Sequence, residues 1–300
     1  MYDDFDMTNF FLLNKKPKGD LEDCLKLYNN TQLDYILLNY IDVIPDDRTE
    51  KISAIKQNIF NNFASVMKRF SVDDLKSLKE YNNKGEINFD AIMELGMAFK
   101  YKDKTCEKYY IPKDVLKLFK EKINDELLNE SEKYNFYIFA SALGVACGPV
   151  TVDEIYEIYS LSNSVINKDN LLESLDKSFN KWEINKQFYY LNKEIDVDIK
   201  AIKDYLTIPI SKDYCFVDYI RYASFVFDCV EDILSIGDIT ESELLEDLLV
   251  KPITNKKLIN KWSKKYNLNA SEKEEITTIL DELDNRRYWI YRGRIQEEKD

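Results

Sequence analysis

The sequence predicts a mainly α-helical protein with two short β-hairpins, and three observations carry that expectation. Glycine and proline are scarce, seven and six in 300 residues, which leaves few of the turns that all-β folds need. Lys, Leu and Ile are abundant instead, favouring helices joined by short polar loops. One stretch of the chain repeats another at an offset of eighty residues, and internal similarity of this kind marks a repeated structural unit. Within each copy the apolar spacing changes from a helical to an alternating period, as it does where a helix gives way to a strand.

Taken in order, residues 1–45 read as an N-terminal helical segment. Leu21, Leu25, Leu27 and Tyr28, then Tyr35, Leu37 and Leu38, flank the polar break Asn29-Asn30-Thr31. A first unit, 46–125, opens with a helix over Thr49–Lys68. Ser71-Val72-Asp73-Asp74-Leu75 then lies over Thr151-Val152-Asp153-Glu154-Ile155 at the offset of eighty. Ser71 and Thr151 are N-cap residues whose side-chain oxygens can accept from the open amides of the first turn. Glu154 completes a capping box and Asp74 a shorter version of it. Leu75 and Leu78, matched by Ile155 and Ile158, supply the apolar face of a short helix. Ile92 and Leu95, matched by Leu172 and Leu175, do the same for a second helix.

The strands follow. Phe99 to Lys102 and Tyr109 to Ile111 flank a polar tip, and Phe179 to Trp182 and Phe188 to Tyr190 flank another. Aromatic and β-branched residues about a polar turn read as a hairpin. Helix, helix, hairpin is the tail of a winged helix, with the hairpin as its wing. The expected architecture is therefore two tandem winged-helix-like units, 46–125 and 126–198, the second opening with a helix over Tyr134–Ala146. A C-terminal helical bundle, 199–300, is expected from Ile199–Leu206, Tyr214–Leu234, Glu241–Val250, Lys256–Tyr266 and Ser271–Leu283, with Ser271 and Glu274 as a further capping box.

The chain contains no histidine. That removes the commonest general base and metal ligand, and with it Ser-His-Asp triads, Cys-His nucleophiles and HExxH zinc helices. Neither GxGxxG nor GxxxxGK[ST] occurs, so the usual dinucleotide and phosphate loops are absent. Cys24, Cys106, Cys147, Cys215 and Cys229 are scattered and odd in number, which suits reduced thiols in a cytoplasmic protein. The loop Gly144 to Pro149 reads as a helix end; without a histidine, Cys147 has no partner of the usual kind to activate it. Acidic runs such as Glu243, Glu246 and Asp247, or Asp281, Glu282 and Asp284, read as solvated helix faces. No catalytic residue, cofactor or metal is expected. No span is long and unbroken enough for a membrane.

The net charge of −13 opposes nucleic-acid phosphates globally but leaves room for a local basic face. The strongest such stretch holds Lys251, Lys256, Lys257, Lys261, Lys264 and Lys265 with no acid among them, and Trp262 lies inside it. Arg286, Arg287, Arg292 and Arg294 follow around Trp289. Basic residues interleaved with aromatics can hold phosphates and stack on bases. The plainer alternative is a helix that decorates one face with lysine while Leu258, Ile259 and Trp262 enter the core. The hairpin tips add Lys100, Lys102, Lys104 and Lys108 in the first unit and Lys181 and Lys186 in the second. Against DNA readout, the second helices carry Glu86, Asp90 and Glu94, or Asp169, Glu173 and Asp176, where base-reading helices need donors.

The segments YYIPKDVLKLF (Tyr109–Phe119), GPVTVDEIYEIY (Gly148–Tyr159) and LDNRRYWIYRGR (Leu283–Arg294) resemble an uncharacterised group of helical Firmicute proteins. The resemblance spans about residues 45–294 and implies winged-helix-like segments. Some members of that group end in a SEC-C zinc motif, whose cysteines and histidine are lacking here, so no zinc role is implied. Its motifs are structural and bring no activity with them. The reading expected overall is a non-enzymatic regulatory or adaptor protein that binds a protein partner, with an acidic DNA mimic as a variant. The alternatives are a DNA-binding regulator using the wing lysines and the 251–265 run and, third, an enzyme of unknown type.

Overall fold

The structure, a computed structural model, describes residues 7–81, 90–104, 106–161, 163–165, 167, 169–195, 206, 210, 219–236, 239–250 and 253–283. It divides into two units, Met1–Ser131 and Glu132–Asp300, and the division falls inside a helix. The expected helix over 199–205, the start of the one at Tyr214, Glu86, Cys215, Lys251 and the arginines around Trp289 lie outside the described residues.

In the first unit, α1 (Met7–Phe10), α2 (Leu21–Leu25) and α3 (Asn30–Leu37) precede α4 (Arg48–Asn61) and α5 (Phe63–Met67). The break at Asn29 is a cap: its side chain accepts from Gln32 N at 3.0 Å while the Gln32 side chain accepts from Asn29 N at 2.8 Å. The helix expected over Thr49–Lys68 is interrupted at Asn62, where the backbone leaves helical geometry at φ −108°, ψ 17°. Next come α6 (Val72–Glu80), α7 (Asp90–Glu94), the antiparallel pair β1 (Phe99–Asp103) and β2 (Cys106–Tyr110), and α8 (Lys113–Lys122). Leu21, Leu25, Ile36, Ile55, Leu75, Ile92, Phe99 and Phe119 meet in one core. Leu27 and Leu38, expected on the apolar faces of their helices, stay exposed at 49% and 65%. Gly96 takes φ +72°, and a Cβ there would lie 3.1 Å from Ile36 Cγ2, so the turn into β1 needs glycine on both counts.

Tyr28 sits at the centre of this core. Its ring stacks on Phe99 at 5.0 Å and meets Phe11 edge-on at 5.3 Å. Its hydroxyl is buried and has no hydrogen-bond partner among the described residues. An orphaned buried hydroxyl has lost its hydration without replacement. Tyr28→Phe is therefore expected to leave stability unchanged or to raise it by up to about 1 kcal/mol. Urea midpoints of the two proteins check this; a loss of stability would show that the hydroxyl is satisfied.

α9 (Asp125–Cys147) runs into the second unit and ends where Gly148 turns left-handed at φ 78°. α10 (Val152–Tyr159), α11 (Asp169–Ser178) and the antiparallel pair β3 (Phe179–Ile184) and β4 (Gln187–Asn192) follow. α12 (Tyr219–Ile236), α13 (Glu241–Leu249), α14 (Asn255–Tyr266) and α15 (Ala270–Glu282) complete the unit. Leu143, Ile155, Leu175, Val226, Leu248, Trp262, Ile276 and Leu280 belong to a single core.

The order helix, helix, hairpin thus occurs in both units. The offset of eighty holds at the caps: Ser71 Oγ accepts from Asp74 N at 3.1 Å, and Thr151 Oγ1 from Glu154 N at 3.2 Å. It holds again at the first residue of the hairpins, Phe99 and Phe179. It fails in two places between and beyond. In α11 the buried apolar residues among those described are Leu171 and Leu175, spaced i, i+4, and the expected Leu172 is 40% exposed. In the hairpins Phe99 faces Tyr110, but Phe179 faces Asn192 and Tyr190 faces Lys181. The pairing is displaced by two residues because β3 is one residue longer before its turn. An even displacement keeps each side chain on its own face, so Tyr110 and Tyr190 share a face but not a partner.

Each hairpin also gains one outside residue. Leu13 N donates to Lys100 O at 2.9 Å and Leu13 O accepts from Lys102 N at 3.0 Å, a parallel bridge on β1. In the second unit, Val150 pairs antiparallel with Tyr190 on β4, with N to O distances of 2.9 and 2.8 Å. The final capping box is Asn269 with Glu272, two residues before the expected Ser271 and Glu274.

Candidate functional site

The lysine run lies on α14. Leu258 and Trp262 face inward, fully buried, and Ile259 packs partly against the same core. The lysines therefore occupy the remaining faces, but they do not form one free basic surface. α13 presents Glu243 and Asp247, one helical turn apart, to Lys261 and Lys265, also one turn apart on α14. Lys261 Nζ lies 2.7 Å from Asp247 Oδ2 and 3.3 Å from Glu243 Oε1, and Lys265 pairs with Glu243. The aromatic residues of the same face join in: Trp262 Nε1 donates to Asp247 Oδ2 at 2.8 Å and the Tyr266 hydroxyl to Glu243 Oε2 at 2.5 Å.

Two lysines expected to contact a partner are thus spent on holding α14 to α13, and the acids Glu243 and Asp247, expected as part of a solvated face, form the other side of the seam. Lys256, Lys257 and Lys264 remain exposed, with no ion pair among the described residues.

Burial raises the pKa of Glu243, but hydrogen bonds from Lys265, Tyr266 and Lys261 outweigh it and hold the carboxyl down at about 2. Its ordinary value is 4.5, so the folded state favours the ionised form. The contribution of this seam to stability is complete above pH 4.5 and fades as the pH falls from 4.5 towards 2. Urea midpoints across that range are expected to fall more steeply in the native chain than in Glu243→Gln; parallel slopes would contradict the assignment.

At the hairpins the expected lysines also divide. Lys100 is buried, its ammonium 2.6 Å from Glu107, which removes it as a phosphate contact. Lys108 pairs with Asp103 at 2.6 Å. Lys102 and Lys104 are exposed beside the first turn, Lys104 with φ 58°. Lys186 is exposed in the second turn, where both Asn185 and Lys186 have positive φ, the geometry of a primed two-residue turn. Lys181 lies over the ring of Phe188 at 4.4 Å. The acids of the second helices are partly committed as well: Asp90 accepts from the Tyr109 hydroxyl at 2.7 Å, and Glu173 pairs with Lys133 at 2.6 Å.

A cleft that sequence reasoning did not single out lies between α2 and α4, with a volume of about 600 Å³. Lys26, Arg48 and Lys56 line it with a single carboxylate, Glu22, together with the α4 hydroxyls Thr49 and Ser53. Glu22 bridges the two lysines, 3.0 Å from each, and their hydrogen bonds hold its pKa below the usual carboxylate value. Arg48 is held differently. Its guanidinium donates to Asn30 Oδ1 at 3.1 Å, to Lys26 O at 3.0 Å and to Tyr28 O. All three acceptors are neutral, and no carboxylate among the described residues pairs with it. The signal for this cleft was spread from Glu22 to Asn61, over two helices with a third between them, and no spacing rule could have joined its residues.

Among the described residues no cluster of His, Cys, Asp and Glu could hold a metal ion. Cys24, Cys147 and Cys229 are buried and Cys106 is exposed; burial, reinforced by Asp114, Asp23 and Asp20, pushes the Cys24 thiol up to about 12. Among the described residues no helix is long and apolar enough to cross a membrane. No protein-family model, curated protein or solved structure matches this chain.

Proposed function

We propose that this is a non-enzymatic regulatory or adaptor protein that engages a protein partner through its two helix-helix-hairpin units, which we read as winged-helix-like, and its helical surfaces. The observation that carries the reading is the internal neutralisation of the basic residues best suited to nucleic acid. Lys261 and Lys265 are bound to α13 carboxylates, and Lys100 and Lys108 to acids of their own hairpin. Among the described residues of these segments, what remains is three α14 lysines and three at the hairpin turns, in a chain of net charge −13. That is little to offset long-range repulsion from a phosphate backbone. The bridge from Val150 to Tyr190 supports the winged-helix reading of the second unit, because it gives the hairpin a third paired segment from the chain between α9 and α10.

The test is purification of the tagged chain from its native host, with mass spectrometry and gel filtration to find a stoichiometric protein partner. Binding to random duplex DNA is measured beside it and is expected to be no tighter than about 10⁻⁶ M at physiological salt. The DNA-binding alternative takes over if a particular duplex binds at nanomolar affinity and loses it when Lys256, Lys257 and Lys264 become Glu. Lys261 is left out of that variant because its charge belongs to the seam with Asp247.

A further inference from the structure

We infer that the α2–α4 cleft is the docking site for an acidic, extended segment of the partner, in which carboxylates alternate with apolar side chains. This inference rests on the adaptor reading above and says where and how such a partner is held.

Charge selects the occupant. In a chain of net charge −13, this cleft gathers three cations against one carboxylate. The cation that matters most is Arg48, since its guanidinium is fixed by neutral acceptors and retains an uncompensated charge. A guanidinium already locked in place loses little freedom when a carboxylate arrives, and with Nη2 donating to Lys26 O and Tyr28 O it keeps one Nη1 hydrogen and its Nε hydrogen as donors. Lys26 and Lys56 share Glu22 between them, and Lys26 also lies 4.0 Å from Asp23. An incoming carboxylate can replace Glu22 on either lysine without leaving a charge stranded.

Spacing selects an extended peptide over a small anion. Arg48 and Lys56 are eight residues apart on one helix, about 12 Å along its axis. An extended chain advances about 3.3 Å per residue, so alternate side chains four positions apart in such a segment match the separation. Those between them point the other way or towards the walls, where Phe60 and Ile52 supply apolar surface. Thr49 and Ser53 lie one turn apart along the same cleft and offer hydroxyls to a peptide backbone. A nucleic-acid strand also carries spaced anions, but it has no aliphatic side chains to offer Ile52 and Phe60 between them.

The experiment uses the full chain and a fluorescein-labelled eight-residue peptide in which Asp alternates with Leu, read by anisotropy at low and physiological salt. Comparators are the same peptide with Lys for Asp, inorganic phosphate, and a single-stranded oligonucleotide. The variants are Ser53→Glu, which places a carboxylate in the cleft at an exposed helical position, and Lys102→Glu on the distant hairpin tip as a control. Thermal melts confirm that both fold. The Asp peptide is expected to bind saturably up to millimolar concentration, to weaken with salt, and to lose at least about tenfold in Ser53→Glu but not in Lys102→Glu. The inference is overturned if the Asp peptide does not bind, if the Lys peptide binds as well, or if Ser53→Glu changes nothing. Displacement of the Asp peptide by phosphate or the oligonucleotide at lower concentration overturns it too, by assigning the cleft to another anion. The two readings separate in the host. A partner captured by the native chain and retained by Ser53→Glu refutes the cleft alone, whereas the lack of any partner on the native chain refutes the adaptor reading.

Discussion

Trp262→Ala is expected to destabilise the second unit by about 3–5 kcal/mol. Trp262 is fully buried, the largest side chain among the described residues to be so. Its removal opens a cavity in the core it shares with Leu258, Leu248 and Ile276, which belong to three different helices and cannot all collapse into it. The same change removes the indole donor from Asp247. Asp247 keeps Lys261 as its partner, so the polar loss is small and the cavity dominates. Trp262→Phe separates the two contributions: it retains most of the buried ring and loses the hydrogen bond, and its cost is expected near 1–2 kcal/mol. Denaturant unfolding of the three proteins measures this. Equal losses in Ala and Phe would place the energy in the hydrogen bond; a loss below 1 kcal/mol in Ala would contradict the packing described here.

The second large effect is expected at Glu132, a carboxylate with no exposed surface near the middle of α9. Its Oε2 accepts from Asn167 N at 3.0 Å and from the buried Asn170 Nδ2 at 2.6 Å. It therefore ties the connection between α10 and α11, and the first turn of α11, to the long helix. Glu132→Ala leaves those two donors without their acceptor. At about 1–3 kcal/mol for each orphaned group, a loss of about 2–4 kcal/mol is expected once some rehydration is allowed. Glu132→Gln keeps one acceptor oxygen at the same place and is expected to lose less than half as much. Hydrogen exchange should show the loss locally, with faster exchange of the α11 amides in the Ala variant. If Ala and Gln are equally destabilised, the negative charge and not the acceptor geometry is what the site requires.

Much of the helical architecture was legible because its determinants are local. Ser71 and Thr151 cap helices through atoms three residues away, and Leu75 with Leu78, or Ile155 with Ile158, define a face within one turn. The hairpins were legible for the same reason, since an alternating run around a polar turn pairs with itself. Legibility ended where two local solutions compete. Asn269 with Glu272 and Ser271 with Glu274 have the same spacing. The chain uses the first because Asn267 turns left-handed at the end of α14, φ 54°, and leaves room for a helix from Ala270. Leu171 and Leu172 are both apolar, and only packing chooses Leu171 for the core.

The candidate sites show the sharper limit. Lys251 to Lys265 reads as a basic surface because the run contains no acid, yet Glu243 and Asp247 neutralise part of it from another helix. Lys100 reads as a wing-tip cation and is buried against Glu107. Conversely, Lys26, Arg48 and Lys56 are unremarkable as a sequence and become a cleft only when α2 lies beside α4. By itself the sequence determined where the chain is helical, where it turns to hairpins, and which chemistries a chain without histidine lacks. These follow from backbone propensity, capping and side-chain type, which act over a few residues. Tertiary structure alone decided which charges remain uncompensated, because charge pairing depends on distance in space and is screened over about 8 Å at physiological salt, whatever the separation along the chain.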